Sequence, residues 1–210
     1  GGAFGGKEDF PSLLGGHAAL LARLSGRPVR MHLGRTEDMA VSTKRHPSWI
    51  RVKAGARSDG TLSAVDIEIV FDGGAYVTMS PVVLSRGAIH AAGPYAWPAV
   101  RIEAVAYRSH TPPSGAFRGF GVPQTIFAIE SHIDRLARAC GVEPHRFRLK
   151  NRLRPGDLTA TSQRLTDSVG TLEVIEDALQ ASGFEDKLHS LGQARLGKRE
   201  GGVIWHTQGS

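Results

Sequence analysis

The chain has 210 residues, 40% of them hydrophobic and 22% charged, enough for one large domain or two small ones around a buried core and too apolar for a disordered tail. No apolar run approaches the roughly 18–20 residues of a membrane span, and the single cysteine, Cys140, excludes an intramolecular disulfide and any four-cysteine zinc or iron–sulfur site. The formal net charge of +6 admits nucleic acid, an anionic ligand or an acidic partner, and the 26 glycines crowd at one end, six of them within the first sixteen residues.

Residues 1–6 form a Gly-rich loop that leads into a helical pattern, in which Leu13, Leu14, His17, Ala18, Leu20, Leu21 and Leu24 recur at three- and four-residue spacing. Gly26 and Pro28 end that run. Pro28–Leu33 alternates like a strand, and Arg35–Met39 reads as a short turn or helix start. Ile50–Ala56 and Thr61–Phe71 alternate with period two around Ser58-Asp59-Gly60, which predicts a hairpin. Ser80 as cap and Pro81 at the first helical position open a helix to Ala92. Ala99–Tyr107 reads as another strand, 109–124 as a loop rich in Pro, Gly and Ser, and Pro123–Ala139 as an amphipathic helix stopped by Gly141. Helical stretches near Glu143–Arg152 and Leu172–Ser182 precede a polar, charged segment. Strands mixed with helices and an antiparallel hairpin predict an α+β fold, mixed sheets with packed helices, over residues 1–183, followed by a linker and the start of a further segment over 184–210.

Two stretches carry chemistry. Gly1-Gly-Ala-Phe-Gly-Gly-Lys7 lacks the spacing of a phosphate-binding Walker loop and follows no strand, yet a glycine loop running into a helix start can form an anion site from its bare amides. A plain turn is the alternative. Ser114-Gly-Ala-Phe-Arg-Gly-Phe-Gly121 interleaves glycine with one guanidinium and two rings, just before a helix. Arg118 offers a planar donor fork and Phe120 a face for stacking a flat ring, whereas Phe117 reads equally as a core plug.

Residues 1–8 (Gly-Gly-Ala-Phe-Gly-Gly-Lys-Glu) and 116–124 (Ala-Phe-Arg-Gly-Phe-Gly-Val-Pro-Gln) resemble two signature loops of the molybdenum hydroxylases, the molybdopterin-binding large subunits of the xanthine dehydrogenase and aldehyde oxidase family. The intervening Arg-Thr-Glu-Asp (35–38), Phe-Asp-Gly-Gly-Ala-Tyr (71–76) and Ser-Arg-Gly-Ala (85–88) fit as well, so the likeness runs over roughly residues 1–180. It departs at Ala3 and Val122, where many members have Gly.

The resemblance implies a division of roles. Gly2, Ala3, Phe4, Gly5 and Gly6 would run beside the molybdenum and its pterin, with Phe4 next to the metal; Arg118 and Gly119 would approach the same centre. Glu8 matches the residue that holds a purine in xanthine-oxidising members, Arg86 the residue that orients the ring 32 positions before Arg118, and Phe120 the aromatic that stacks on substrate. Negative charge builds on an electron-poor ring during hydroxylation, a fixed guanidinium stabilises it, and a carboxylic acid opposite can exchange a proton with the ring. Glu8 and Arg86 are therefore the expected catalytic pair. The implied reaction is oxidative hydroxylation of a purine or related N-heterocycle with oxygen from water. An aldehyde or nicotinate oxidoreductase is the alternative within the family, and an inactive anion-binding or assembly module the alternative outside it. The implied cofactor is molybdenum–molybdopterin, as such or as its cytosine dinucleotide. Iron–sulfur clusters and FAD are expected on partner domains or subunits, in an oligomeric full-length enzyme, and the family's general base, a Glu near the far C-terminus, is expected outside this stretch.

The remaining features read as structure. His17, His132 and His145 are expected to be packing or surface residues, and Cys140 a small half-buried one. The basic tract Arg146, Arg148, Lys150, Arg152 and Arg154 has neither a nucleic-acid motif nor a row of aromatics, so a solvated or partner-facing segment is expected, with no nucleic acid and no membrane as partners. The missing start Met and a strand-like Val203-Ile-Trp205 close to Ser210 suggest a piece of a longer polypeptide, and the lack of a leader points to the cytoplasm.

Overall fold

The computed structural model describes residues 8–197, and side chains from 8 to 191. The chain divides into two compact units, Gly1–Ser168 and Val169–Ser210. The first unit contains α1 (Phe10–Ser25), α2 (Arg35–Val41), β1 (Ser48–Ala56), β2 (Leu62–Asp72), α3 (Ser80–His90), β3 (Ala99–Tyr107), α4 (Val122–Ala139) and α5 (Pro144–Asn151). The fold is α+β.

β1 and β2 pair antiparallel, with Ile50 opposite Ile69 and Val52 opposite Ile67. Asp59 and Gly60 make the turn: Asp59 accepts hydrogen bonds from the Thr61 amide and hydroxyl at 3.0 and 2.9 Å, and Gly60 takes a φ of 81°. β3 joins the other edge of β2 in parallel, Ile67 facing Ile102 and Phe71 facing Ala106, after a crossover through α3. A parallel neighbour requires such a crossover, and α3 supplies it.

Alternation sorts the sheet into two faces. Val65, Ile67, Ile69 and Phe71 of β2 are buried, together with half-buried Ile50, Val52, Val100 and Ile102, against α3 and α4. Helix α4 presents Thr125, Ile129, Ile133 and Ala137 to that core at every fourth position, as the periodicity predicts. The opposite face carries ion pairs, Arg51 with Glu68 and Arg101 with Asp66 and Glu103.

Three local expectations give way. Pro28–Leu33 is no strand: β1, β2 and β3 complete the sheet without it, and alternation without a ladder partner leaves backbone to water. Ser80 does not cap α3, because its hydroxyl is engaged at 2.7 Å with His46 Nε2 and Met79 holds the cap position. The basic tract is solvated only in part: Arg146, Lys150 and Arg154 are exposed as expected, but Arg148 is built into the fold. Arg148 donates from Nε and Nη2 to Glu130 Oε2 at 2.9 and 2.7 Å and from Nη1 to Asp134 Oδ1 at 2.7 Å, fastening α5 to α4. Lys150 pairs with Asp59 at 3.2 Å.

The second unit contains α6 (Thr171–Ser182) and α7 (Phe184–Gly197). Gly183, at φ 55°, ends α6 by donating its N–H to the Gln180 carbonyl. The polar segment that follows is thus helical as far as Gly197. Among the described residues no helix is long and apolar enough to cross a membrane.

Candidate functional site

The loop between β3 and α4 is the most unusual piece of backbone. Gly119, Phe120 and Gly121 take φ values of 94°, 46° and 82° in succession. For a residue with a Cβ the left-handed region costs about 1–2 kcal/mol, so Phe120 sits there under constraint. Two short bonds close the turn, from the Phe120 amide to the Phe117 carbonyl at 2.8 Å and from the Val122 amide to the Gly119 carbonyl at 3.0 Å. The result leaves Phe117, Arg118 and Gly119 exposed and Phe120 half-buried against the core.

The root of this loop is stitched to the end of β2. Gly73 and Gly74 exchange backbone hydrogen bonds with Tyr107, Ser109 and Ser114, and Thr78 Oγ1 donates to the Ser114 carbonyl at 2.6 Å. A Cβ on Gly74 would lie 2.4 Å from the Pro112 carbonyl oxygen, so this crossing admits only glycine. Asp72 anchors the same junction by accepting from Ser109 Oγ at 2.6 Å and the Gly74 amide at 2.9 Å. Those bonds hold the Asp72 carboxyl below its ordinary pKa.

Three further segments close on the loop. Asp9 Oδ2 accepts from the Ala116 amide at 3.3 Å, and the Gly115 amide donates to the Lys44 carbonyl at 3.0 Å. From α3, Gly87 packs where a Cβ would come within 3.5 Å of the Gly121 carbonyl oxygen. A Cβ on Gly121 would in turn lie 2.4 Å from the Val83 carbonyl oxygen. Arg45 donates to the Arg118 carbonyl at 2.8 Å and to Gln124 Oε1 at 3.3 Å, and Gln124 Nε2 donates to the His46 carbonyl at 3.2 Å.

These contacts locate the residues singled out from the sequence. Gly2, Ala3, Phe4, Gly5 and Gly6 lie outside the described residues. Glu8 precedes Asp9, and Arg86 precedes Gly87, so each is carried by a neighbour that touches the 114–121 loop of Arg118, Gly119 and Phe120. Glu8, Arg86 and Arg118 are exposed. Sequence reasoning missed Asp9, Arg45 and Gln124, which make the loop's shape; Arg45 reaches across 73 residues to Arg118, a distance no local pattern reports. No cluster of three metal-ligating side chains occurs among the described residues. A shallow groove on the outer sheet face, lined by Lys53, Asp66 and Arg101, includes none of the site residues.

The buried pair beside the site is His46 and Ser80. His46 is 2% exposed, packs against Phe71 with ring centroids 5.8 Å apart and planes tilted by 35°, and sits below its ordinary pKa because burial disfavours its charged form, against the pull of Asp72 and Asp9.

Residues 1–152 match the molybdopterin cofactor-binding domain family. The chain belongs to that family. The nicotinate dehydrogenase large molybdopterin subunit of Eubacterium barkeri is 42% identical over 189 residues, which cover 88% of this chain and 44% of that protein. A probable xanthine dehydrogenase subunit of Bacillus subtilis is 43% identical over 175 residues, 83% of this chain and 23% of that one. Among solved structures, quinoline 2-oxidoreductase from Pseudomonas putida 86 superimposes with a TM-score of 0.80 at 29% identity, over 93% of this chain and 25% of its own. The chain therefore spans less than half the length of the curated relatives it matches.

Its described residues suit a molybdopterin-type group. From Ser114 to Gly121 the loop has no acidic side chain, exposes one guanidinium, and has glycine where its backbone is crossed closely, at 115, 119 and 121. An anionic pterin needs that donor chemistry.

Proposed function

We propose that this chain forms one wall of the active site of a molybdenum hydroxylase that oxidises a purine of the xanthine or hypoxanthine type or a related N-heterocycle. The observation that supports this reading is that the immediate neighbours of Glu8 and Arg86, Asp9 and Gly87, touch the loop that carries the Arg118–Phe120 turn, at Ala116 and Gly121. Arg118, Gly119 and the residues 2–6 would hold the pterin and approach the metal. When bound, that group supplies the oxidising centre that accepts the substrate's electrons.

The chain's own residues would then bind and polarise the ring. Phe120 offers a face to a flat heterocycle, where stacking contributes about 0.5–1.5 kcal/mol beyond area burial. Arg86 would stabilise negative charge developing on the ring's nitrogens and oxygens. Glu8 would exchange a proton with the ring as it changes tautomer. Iron–sulfur clusters, which need several cysteine ligands where this chain has one, would belong to other domains or subunits, and so would a flavin.

A second reading is nicotinate as substrate, favoured by the relative that carries that name over 44% of its length. In it, Arg86 would pair with the substrate's carboxylate. An aldehyde is the third. Turnover of hypoxanthine, nicotinate and benzaldehyde by the full-length enzyme and its Glu8→Val and Arg86→Met variants separates them. The purine reading expects hypoxanthine turnover to fall about 100-fold or more while benzaldehyde falls far less. Equal losses would overturn it, and a nicotinate-selective loss confined to Arg86→Met would favour nicotinate. A full-length protein without molybdenum would remove the cofactor assignment.

A further inference from the structure

Arg45 makes three contacts of different kinds with a single turn. Its Nη2 donates to the Arg118 carbonyl at 2.8 Å, its Nη1 donates to Gln124 Oε1 at 3.3 Å, and its Cζ lies 4.5 Å from the centroid of the Phe117 ring. Phe117 and Arg118 precede the left-handed run of 119–121 and Gln124 follows it, so the guanidinium spans the turn from both sides. The position is half-buried, and that burial works against the charge of Arg45; the carbonyl, the amide oxygen and the ring face oppose it.

A planar fork fits this task and an ammonium does not. Arg presents donors in two directions while its flat face lies on an aromatic ring, whereas the compact ammonium of Lys has no planar face for the ring and no rigid fork to reach acceptors on both sides of the turn. The backbone of Arg45 is itself fixed, since Lys44 pairs with the Gly115 amide and His46 with Gln124 Nε2.

We propose that Arg45 is the positioning residue of this loop, fixing the 117–121 turn and thereby the placement of Arg118 and Phe120. Arg45 acts through those two residues and touches neither substrate nor cofactor. The kinetic consequence rests on the proposed function above; the structural one does not.

The test uses the full-length protein as wild type, Arg45→Met, Arg45→Lys and Phe117→Leu, the last keeping the guanidinium and removing only the ring. Hydrogen exchange should accelerate by about tenfold or more at the Phe120 and Val122 amides in both Arg45 variants, with β2 amides unchanged. Phe117→Leu should give a smaller acceleration at the same two amides. With the best turned-over substrate among xanthine, hypoxanthine and nicotinate, KM should rise about tenfold to 100-fold at unchanged molybdenum content, and Lys should not restore it. Unchanged exchange at 120 and 122, or acceleration spread equally through β2, would overturn the proposal. Full recovery by Lys would overturn it too, because charge alone would then suffice. A wild-type enzyme with no molybdenum and no turnover would sink the proposed function while the exchange measurement still decides the role of Arg45.

Discussion

Phe120 pays for its conformation twice over, in strain and in exposure, and its ring recovers that by packing half-buried against the core. Two truncations separate these terms. Phe120→Ala loses the ring and keeps a Cβ at φ 46°, whereas Phe120→Gly loses the ring and the strain together. Glycine is ordinarily the less stable of the two by about 0.5–1 kcal/mol. Here the order should invert, with the glycine variant more stable than the alanine variant by about 1 kcal/mol in denaturant titrations of the full-length protein. An alanine variant as stable as the glycine one would mean that residue 120 is not left-handed. Legibility at this scale is uneven. The sequence marks Phe120 by the glycine on each side, and the resemblance supplies roles for Glu8 and Arg86. Nothing in the sequence marks Arg45 or Asp9, because hydrogen bonds to carbonyls and amides across 73 and 107 residues leave no spacing to read.

The helices α4 and α5 are joined by a polar network alongside the apolar core that holds Phe147 with Ile129, Ile133 and Ala137. Tyr95 Oη donates to Glu130 Oε1 at 2.7 Å, and Arg148 takes both Glu130 and Asp134. Burial and the Glu130 carboxylate push the Tyr95 hydroxyl well above its ordinary pKa. Burial works against the charge of Arg148, but the two carboxylates more than offset it and raise its pKa. Asn151 ties the end of α5 to the β1–β2 hairpin: Oδ1 accepts from the Leu62 amide at 2.9 Å while Nδ2 donates to the Gly60 and Phe147 carbonyls at 2.8 and 2.9 Å. Removing one member should leave the others stranded. Arg148→Met is expected to destabilise the full-length protein by about 1–3 kcal/mol, and the Arg148→Met/Glu130→Met double variant by less than the sum of the two singles. Strict additivity in that cycle would show that the pair is not coupled. The amphipathic stripe of α4 and the Asp59-Gly60 hairpin were open to a sequence reader, since period and turn chemistry are local. The false strand at Pro28–Leu33 shows the converse, that alternation alone says nothing about a pairing partner.

At the scale of the molecule, acid response follows from the buried imidazole. Folding lowers the His46 pKa below 6.5, so between that ordinary value and the folded one the unfolded chain binds the extra proton. Stability from this group is complete above the ordinary value of 6.5 and declines as pH falls below it toward the folded-state value. His132, lowered by burial and by Arg135, adds to the same slope. Asp72, lowered by its hydrogen bonds, acts in a separate window, holding stability above its ordinary value of 3.8 and releasing it below. His46→Asn should therefore lower stability at about pH 7 yet flatten its decline between about pH 7 and 5, as denaturant midpoints across that range would show. An unchanged slope would mean that His46 titrates alike in both states.

The mixed sheet was legible only in part: three strands could be read, but the parallel partner of β2 could not, because direction belongs to the path of α3. That path also imposes an order of events. A hairpin such as β1–β2 can zip outward from its turn, whereas Phe71 meets Ala106 only after the whole of α3 has been laid across the sheet. The 114–121 loop is stitched to Gly73 through residues beyond β3, so it cannot close before that step. The candidate loop thus hangs on the long-range pairing of β2 with β3, so a substitution that loosens that pairing is felt at the loop.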